Sequence, residues 1–286
     1  MTPFELVEPR TLREAAALLD TNEPTVRAVG GATAVMLMMK LGVLRPTRLV
    51  SLRGVEKRYS EISSGADGEL RIGAVTTLST LERSLLVQQA APAIVQALRT
   101  LSNVRVRNVA TLGGHLAHAD PHLDLPPLLM ALGASIKTVD ANGGRTMVLE
   151  NLYAGYLETA LGRGELIAEV IIPRQTPRRA AYLKCTTRST DDWPALGIAV
   201  VLDTDGSVVR EARIVVSAAT DTPTRLLKTE GVLRGARVSD HLLREAGDVG
   251  VGETAVLGDA HGSAAYKKEL LRVYIGRAVR KALERP

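Results

Sequence analysis

The stretch ATLGGHLAHADPHLDLPPLLMALGA, residues 110–134, decides the fold. It carries three of the chain's five histidines (His115, His118 and His122), two aspartates (Asp120 and Asp124), and the Gly113-Gly114 pair ahead of an apolar run. Three readings compete. His115, His118, Asp120, His122 and Asp124 offer zinc- or iron-ligating chemistry at two- and three-residue intervals. The glycine pair lets successive backbone N–H groups point into one concavity, where a phosphate meets no Cβ. The third reading is structural. Asp124 stands at an N-cap position, Pro126 falls in a first helical turn, and Gly133 stops the apolar run. Pro121 interrupts any helix that would align the histidines.

Working outward, AVGGATAV at 28–35 repeats the design of ATLGGHLA at 110–117: an extended approach, a glycine pair, then small residues. Two such loops facing one another can hold a diphosphate, and either one alone is also an ordinary tight turn. Neither is GxGxxG or a Walker loop, so neither points to a Rossmann or P-loop site.

Around these loops helices and strands alternate. Thr11 and Glu14 have capping-box spacing, and Ser79 with Glu82 offers a second box. TVRAV, TRLVSL, LRIGAV, SIKTVD, TMVL and LIAEVIIP read as strands, with Tyr153 and Tyr156 in a loop. IIPRQTPRRA is the expected domain boundary. Beyond it, LGIAVVLDTDGSVVREARIVVSA predicts a long hairpin turning at Asp205-Gly206. The final helix, AAYKKELLRVYIGRAVRKAL, has a basic face that reads as solvated. In YLKCTTRSTDDWPALG, Trp193 reads as a core or interface residue, Lys184 as a strand-edge lysine, and Cys185 as buried and inert.

Composition narrows the function. The 286 residues are 45% apolar and 23% charged, as in a soluble globular protein large enough for two domains. One Trp, one Phe and six Tyr argue against a stacking surface for single strands, and the net +5 charge is spread along the chain. No nucleic acid partner is expected. Cys185, the sole cysteine, excludes an intrachain disulfide and any cysteine-ligated zinc or iron–sulfur site built from this chain alone. MTPFELVEPR has no apolar signal region, and AVMLMMKLGVL is interrupted by Lys40 and too short to span a bilayer. The expectation is a cytoplasmic protein without a transmembrane segment.

Together, AVGGATAVMLMMK and ATLGGHLAHADPHLDLPPLLMALGA resemble the paired signature of the FAD-binding medium subunit of the molybdenum hydroxylases, the family of the carbon monoxide dehydrogenase flavoprotein and xanthine dehydrogenase. The match continues through GELIAEVIIP, YLKCTTRSTDDW and ARIVVSAATDTPTRLLKTEGVL to GSAAYKKELLRVYIGRAV, nearly the whole chain in order. The resemblance implies an α+β fold: a two-part FAD-binding domain of the vanillyl-alcohol-oxidase (PCMH) type over 1–176, with subdomains of about 1–54 and 55–176. A C-terminal α+β domain with a small antiparallel sheet and helices follows over 177–286. It implies electron transfer by FAD, with a molybdenum cofactor in a large partner subunit and two [2Fe–2S] clusters in a small one, in a dimer of heterotrimers.

Residue by residue, the resemblance makes Val29, Gly30, Gly31, Ala32, Thr33 and Ala34 the first diphosphate loop, and Thr111, Leu112, Gly113, Gly114 and His115 the second. It places Asp124 and Lys184 on cofactor-contacting positions, Leu101 and Ile167 near the cofactor, and Trp193 beside the isoalloxazine ring. Ala32 stands where the family has a polar residue, and His115 where Asn or Ser is commoner. On this reading the opening stretch is a nucleotide cradle followed by a capped helix. Its histidines are incidental or stand behind the residues that touch the cofactor, and the chain holds no metal and no group acting on organic substrate. The alternatives are a metal-dependent hydrolase using the His115–Asp124 cluster and a flavin-free assembly subunit.

Overall fold

A computed structural model of the chain describes residues 3–175 and 178–284, so the boundary placed between 176 and 177 lies outside the described residues. The N-terminal part alternates β1 (Glu5–Val7), α1 (Leu12–Leu19), β2 (Val26–Val29), α2 (Thr33–Lys40) and β3 (Arg48–Ser51). These strands pair in parallel in the order β1-β3-β2. The capping box expected for α1 is present. Thr11 Oγ1 accepts from Glu14 N at 3.1 Å, and the Glu14 carboxylate accepts from Thr11 N at 3.2 Å.

The second layer comprises β4 (Ile62–Ser64), β5 (Leu70–Gly73), β6 (Ser135–Val139), β7 (Thr146–Val148) and, after a small hairpin of β8 (Tyr153–Gly155) with β9 (Glu158–Thr159), β10 (Leu166–Ile172). Its antiparallel order is β4-β5-β10-β6-β7. The Tyr153 segment, expected as a loop, therefore carries a short ladder. Helices α3 (Leu78–Arg83), α4 (Leu85–Ala90), α5 (Pro92–Thr100), α6 (Val104–Arg107), α7 (Leu112–Ala117) and α8 (Leu125–Ala131) fall within this part.

The second capping box is not formed. Thr77, not Ser79, caps α3 by accepting from Thr80 N, while Ser79 is buried and Glu82 pairs with Arg107. The cause is tertiary. Thr77 forms a bridge with Thr111, flanked by Leu78 N to Ala110 O and Leu112 N to Thr76 O, and this fixes where the helix begins.

The C-terminal part is an antiparallel sheet of β11 (Arg179–Thr186), β12 (Pro194–Asp205), β13 (Val208–Ser217) and β14 (Thr224–Arg225), followed by α9 (Leu227–Leu233), α10 (Asp240–Glu253) and α11 (Ala264–Leu283). The hairpin turns one residue later than expected, at Gly206-Ser207 between the paired Asp205 and Val208, with Gly206 at φ 58°, a left-handed conformation that costs glycine little. Strand β12 buries every residue from Pro194 to Leu202 because α8 covers one face and α11 the other. Ala199, Val201 and Val215 accordingly join the core of the second layer, while Ile198, Val200, Ile214 and Val216 face the C-terminal helices. Helix α8 is buried throughout because it is the layer both parts share. Its Leu125, Leu128 and Leu129 are buried, at roughly 2 kcal/mol each, and so hold Asp124 at a fixed place between the parts.

The solvated basic face expected for α11 has an exception. Lys267 is fully buried, in four-residue register with Leu271 and Ile275, and its ammonium donates to Ala218 O and to Asp259 Oδ2, each at 2.5 Å. Among the described residues no helix is long and apolar enough to cross a membrane.

Candidate functional site

The two glycine loops meet. Val29 ends β2, and the chain turns through Gly30, Gly31 and Ala32 into α2. A Cβ on Gly31 would sit 2.0 Å from the Val109 carbonyl oxygen, and one on Gly30 would sit 2.4 Å from Thr111 Oγ1. On the second loop a Cβ at Gly113 would meet the Ala74 Cβ at 2.6 Å, whereas one at Gly114 would meet only Thr111 Oγ1, at 3.0 Å. Phosphate access is therefore not what requires glycine at Gly30, Gly31 and Gly113. Close packing of one loop on the other, or on the strand beneath, requires it. Only the exposed Gly114 fits the expectation of a bare approach.

The donors differ too. Among the described residues, the backbone N–H groups of Gly30, Gly31, Ala32, Thr33, Ala34 and Val35 donate to no protein acceptor. Ala32 has φ 57° and provides no side-chain cap, so the first turn of α2 keeps its free donors. On the second loop, Gly113 N donates to Ala74 O, His115 N to Thr111 O, and Gly114 N to the capping Thr111 hydroxyl. His115 has a buried Nε2 without a partner, and burial pushes its pKa down to about 3, so the ring is neutral.

Beyond the loops, α8 and β11 bring Asp124 and Lys184 together. Alternation along β11 turns Ala180, Tyr182 and Lys184 toward the second layer, and Leu183 and Cys185 toward the C-terminal core. Lys184 Nζ donates to Asp124 Oδ2 at 3.1 Å, to Thr100 O at 2.7 Å and to Asp192 O at 3.1 Å, while Tyr182 donates to Asp124 Oδ1 at 2.7 Å. Asp124 thus occupies the N-cap position without capping, since its carboxylate is spent on this pair. Burial pushes that carboxyl above its usual range, against the pull of Lys184 and Tyr182, and drives the Tyr182 hydroxyl well up. Lys184, read alone as a strand-edge lysine, is on an edge strand but turned inward.

Leu101 is buried at the end of α5, beside Ser102 in the left-handed region at φ 51°. Arg107 holds this turn by donating to Leu101 O at 3.1 Å and Ser102 O at 2.6 Å, with Glu82 as its counter-ion. Ile167 is buried in the same core, at a register shift in β10. Trp193 is not a core residue: it is 45% exposed, and its ring stacks on His122 at 5.6 Å. Cys185 is half-buried rather than fully buried.

The histidines do not converge on a metal. Among the described residues, no three His, Cys, Asp or Glu side chains are grouped to hold an ion. His122 is instead fixed by two carboxylates, with Nδ1 2.9 Å from Asp120 and Nε2 2.8 Å from Asp259. It is therefore more than an incidental loop residue. Sequence reasoning missed Tyr182, Arg107, Asp259 and Lys267. The four-residue register of Lys267 with Leu271 and Ile275 was the one available signal, because it puts a lysine on an apolar stripe.

The run of free N–H donors and the exposed glycine suit a ligand carrying a diphosphate. Comparison with known proteins agrees. Residues 2–175 match the FAD binding domain in molybdopterin dehydrogenase, and residues 181–282 match the CO dehydrogenase flavoprotein C-terminal domain. The glyceraldehyde dehydrogenase medium chain of Sulfolobus acidocaldarius is 26% identical, over 94% of this chain and 95% of its own. The nicotine 6-hydroxylase medium subunit of Paenarthrobacter nicotinovorans is 29% identical, over 95% of this chain and 94% of its own. A structure of carbon monoxide dehydrogenase from Hydrogenophaga pseudoflava lacking the Mo-pyranopterin moiety superposes with a TM-score of 0.94 at 29% identity, over 99% of both chains. The chain belongs to the FAD-binding medium-subunit family of the molybdopterin dehydrogenases.

Proposed function

We propose that this chain is the electron-transfer flavoprotein of a molybdenum-containing hydroxylase or dehydrogenase. It takes electrons from [2Fe–2S] clusters of a small partner subunit and passes them to an external acceptor. The observation that carries the reading is the run of free backbone donors from Gly30 to Val35, packed against the second glycine loop. FAD supplies the redox chemistry when bound. This chain's residues bind and orient it. Val29, Gly30, Gly31, Ala32, Thr33 and Ala34 neutralise the diphosphate with backbone dipoles. Thr111, Gly113, Gly114 and His115 close the opposite side. Lys184, on the family's cofactor-binding position, is held by Asp124 and the carbonyls of Thr100 and Asp192, and so fixes β11 against α8 and the end of α5. Leu101, Ile167 and Trp193 border the ring system, and His115 presents a neutral donor or acceptor.

The division of the chain near residue 176 is supported by family matches that end at 175 and resume at 181. The single cysteine supports clusters held in a separate chain. By family analogy the assembly is a dimer of heterotrimers with a large molybdopterin-binding subunit and works in the cytoplasm. The substrate is set by that large subunit: relatives of similar identity are named for glyceraldehyde and for nicotine.

The test is purification of the full chain, alone and from its native source. The expected result is yellow protein with stoichiometric flavin, accompanied in the native preparation by two other chains. A colourless protein holding tightly bound zinc would overturn the flavin reading. Turnover of organic substrate by the isolated chain with an artificial acceptor would overturn the electron-transfer reading.

A further inference from the structure

One cluster outside the glycine loops joins aromatic and charged groups across the two halves of the chain. His122 lies in the strap between α7 and α8. Both of its ring nitrogens face carboxylates, Asp120 at 2.9 Å and Asp259 at 2.8 Å. Only the doubly protonated imidazolium satisfies both contacts as a donor. Asp259 also accepts from the buried Lys267, whose ammonium donates to Ala218 O, and Ala218 N donates back to Pro121 O at 2.8 Å. The strap is thereby closed into a ring with the C-terminal helices. On this support lies the indole of Trp193, 5.6 Å from the imidazole between centroids and within 11° of parallel. His261 tilts against both rings, at 5.1 and 6.3 Å.

We propose that His122 is a positioning residue for Trp193: clamped between Asp120 and Asp259, its ring holds the indole at the mouth of the cofactor cleft, and it releases the indole when the imidazolium loses its proton. The first part rests on the stacking geometry. The placement at the cleft rests on the FAD reading above.

The charged neighbours set the sign. Asp120 faces His122 from its own strap, Asp259 and His261 from the loop before α11, Lys267 from α11 through Asp259, and His118 lies beside Asp120. Two carboxylates against one buried ammonium leave a negative charge that the imidazolium neutralises. Burial favours the neutral ring, but the carboxylates outweigh it and hold the proton to higher pH than an ordinary histidine. On deprotonation one ring nitrogen presents a lone pair to a carboxylate. Asp120 also accepts from His122 N at 2.8 Å, so the contact that opens is the one to Asp259.

Trp193 is the sole tryptophan, so its emission reports the stack directly. An imidazolium quenches indole emission more than neutral imidazole does. The indole of the full-length chain, with flavin and after flavin removal, is therefore expected to brighten as pH rises, with a midpoint above the ordinary histidine value. Both His122→Ala and His122→Gln, checked for an intact thermal transition, should abolish this titration, while His261→Ala keeps it. Asp259→Asn should lower the midpoint by about one pH unit or more. A titration that survives in both His122 variants overturns the proposal, as does a wild-type midpoint at or below the ordinary value. With flavin bound, its emission should follow the same curve, and a flat flavin signal over a titrating indole overturns the placement at the cleft. Protein that retains no flavin defeats the FAD reading, while the indole titration still decides the role of His122.

Discussion

AVGGATAV and ATLGGHLA are near twins in sequence, yet the structure uses them in opposite ways. The first loop gives up its side chains to packing and leaves its backbone donors free. Gly31 lies against the Val109 carbonyl and Gly30 against Thr111, while the N–H groups from Gly30 to Val35 have no protein acceptor among the described residues. The second loop spends its donors on Ala74, on Thr111 O and on the Thr111 hydroxyl, and leaves Gly114 open. A glycine pair in sequence therefore does not say whether absent side chains serve a neighbour or a ligand. One loop keeps free donors and the other keeps an open glycine.

The largest effect that would test this division is at Gly31. A Cβ there meets backbone, which cannot move aside, so Gly31→Ala should cost about 3 kcal/mol and lose flavin as well. Gly114→Ala meets only a rotatable hydroxyl at 3.0 Å, and should lose flavin while melting near the wild-type temperature. Flavin content and thermal melts of the two variants decide the matter. Equal melting temperatures would mean that the loops are not packed as described.

The next effect is at Gly30. Its clash is with a side chain, Thr111 Oγ1 at 2.4 Å, so Gly30→Ala should cost about 2 kcal/mol. Removing the obstruction should recover part of that cost. Thr111→Ala alone loses an N-cap, about 1 kcal/mol, but the double variant should be more stable than the sum of the single changes allows. Strict additivity in denaturant melts would show that Gly30 and Thr111 do not touch.

Much of this architecture was legible in the sequence. The Thr11 and Glu14 box and the Gly133 stop rest on local chemistry and formed as read, and the hairpin turn expected at Asp205-Gly206 fell one residue on, at Gly206-Ser207. What failed depended on partners distant in sequence. Thr77 displaced Ser79 as a cap because residue 111 bridges to it. Asp124 had the right position for a cap, but Lys184 and Tyr182, some sixty residues on, claimed its carboxylate. Lys267 was counted among solvated bases, although it is fully buried, because Ala218, forty-nine residues earlier, supplies a carbonyl to its ammonium. Of the candidate site, the loops could be read from motifs and the lysine only through the family resemblance. The His122 clamp could not, because half of it belongs to the other end of the chain.

The loops also differ in their response to acid. The second carries His115, whose burial drives its pKa down to about 3, and the first carries no titratable group. A histidine depressed in the fold takes up its proton first in the unfolded chain. Its contribution to stability is therefore constant above about pH 6.5 and falls as pH drops from there toward 3, by up to about 1.4 kcal/mol per pH unit. His122 acts in the opposite sense. Its raised pKa gives stability that is present below about pH 6.5 and lost as pH rises through the folded value. His115→Gln should flatten the acid-side slope, and His122→Gln the slope on the alkaline side of pH 6.5. Melts across pH 4 to 9 would show both, and an unchanged acid slope in His115→Gln would place that ring in water.

The smallest effect lies at Ala32, where the first loop turns into α2. Its φ of 57° is left-handed, and it offers the helix no side-chain cap. An alanine in that region carries roughly 1 kcal/mol of strain, because its Cβ crowds the backbone. Asparagine tolerates the same backbone better, since its short polar side chain bonds locally. Ala32→Asn should thus stabilise the chain by about 0.5 kcal/mol, a rise in melting temperature of roughly 1–2 °C for a chain of this size. The amide would also stand among the free donors of the loop, where its carbonyl competes with a phosphate oxygen and its NH₂ assists one. The two outcomes separate cleanly. Tighter flavin with a higher melting temperature means that the amide reaches the ligand, whereas a higher melting temperature with unchanged flavin affinity means that only the backbone gained. A lower melting temperature would show that the left-handed turn at Ala32 is not where the first loop stores its strain.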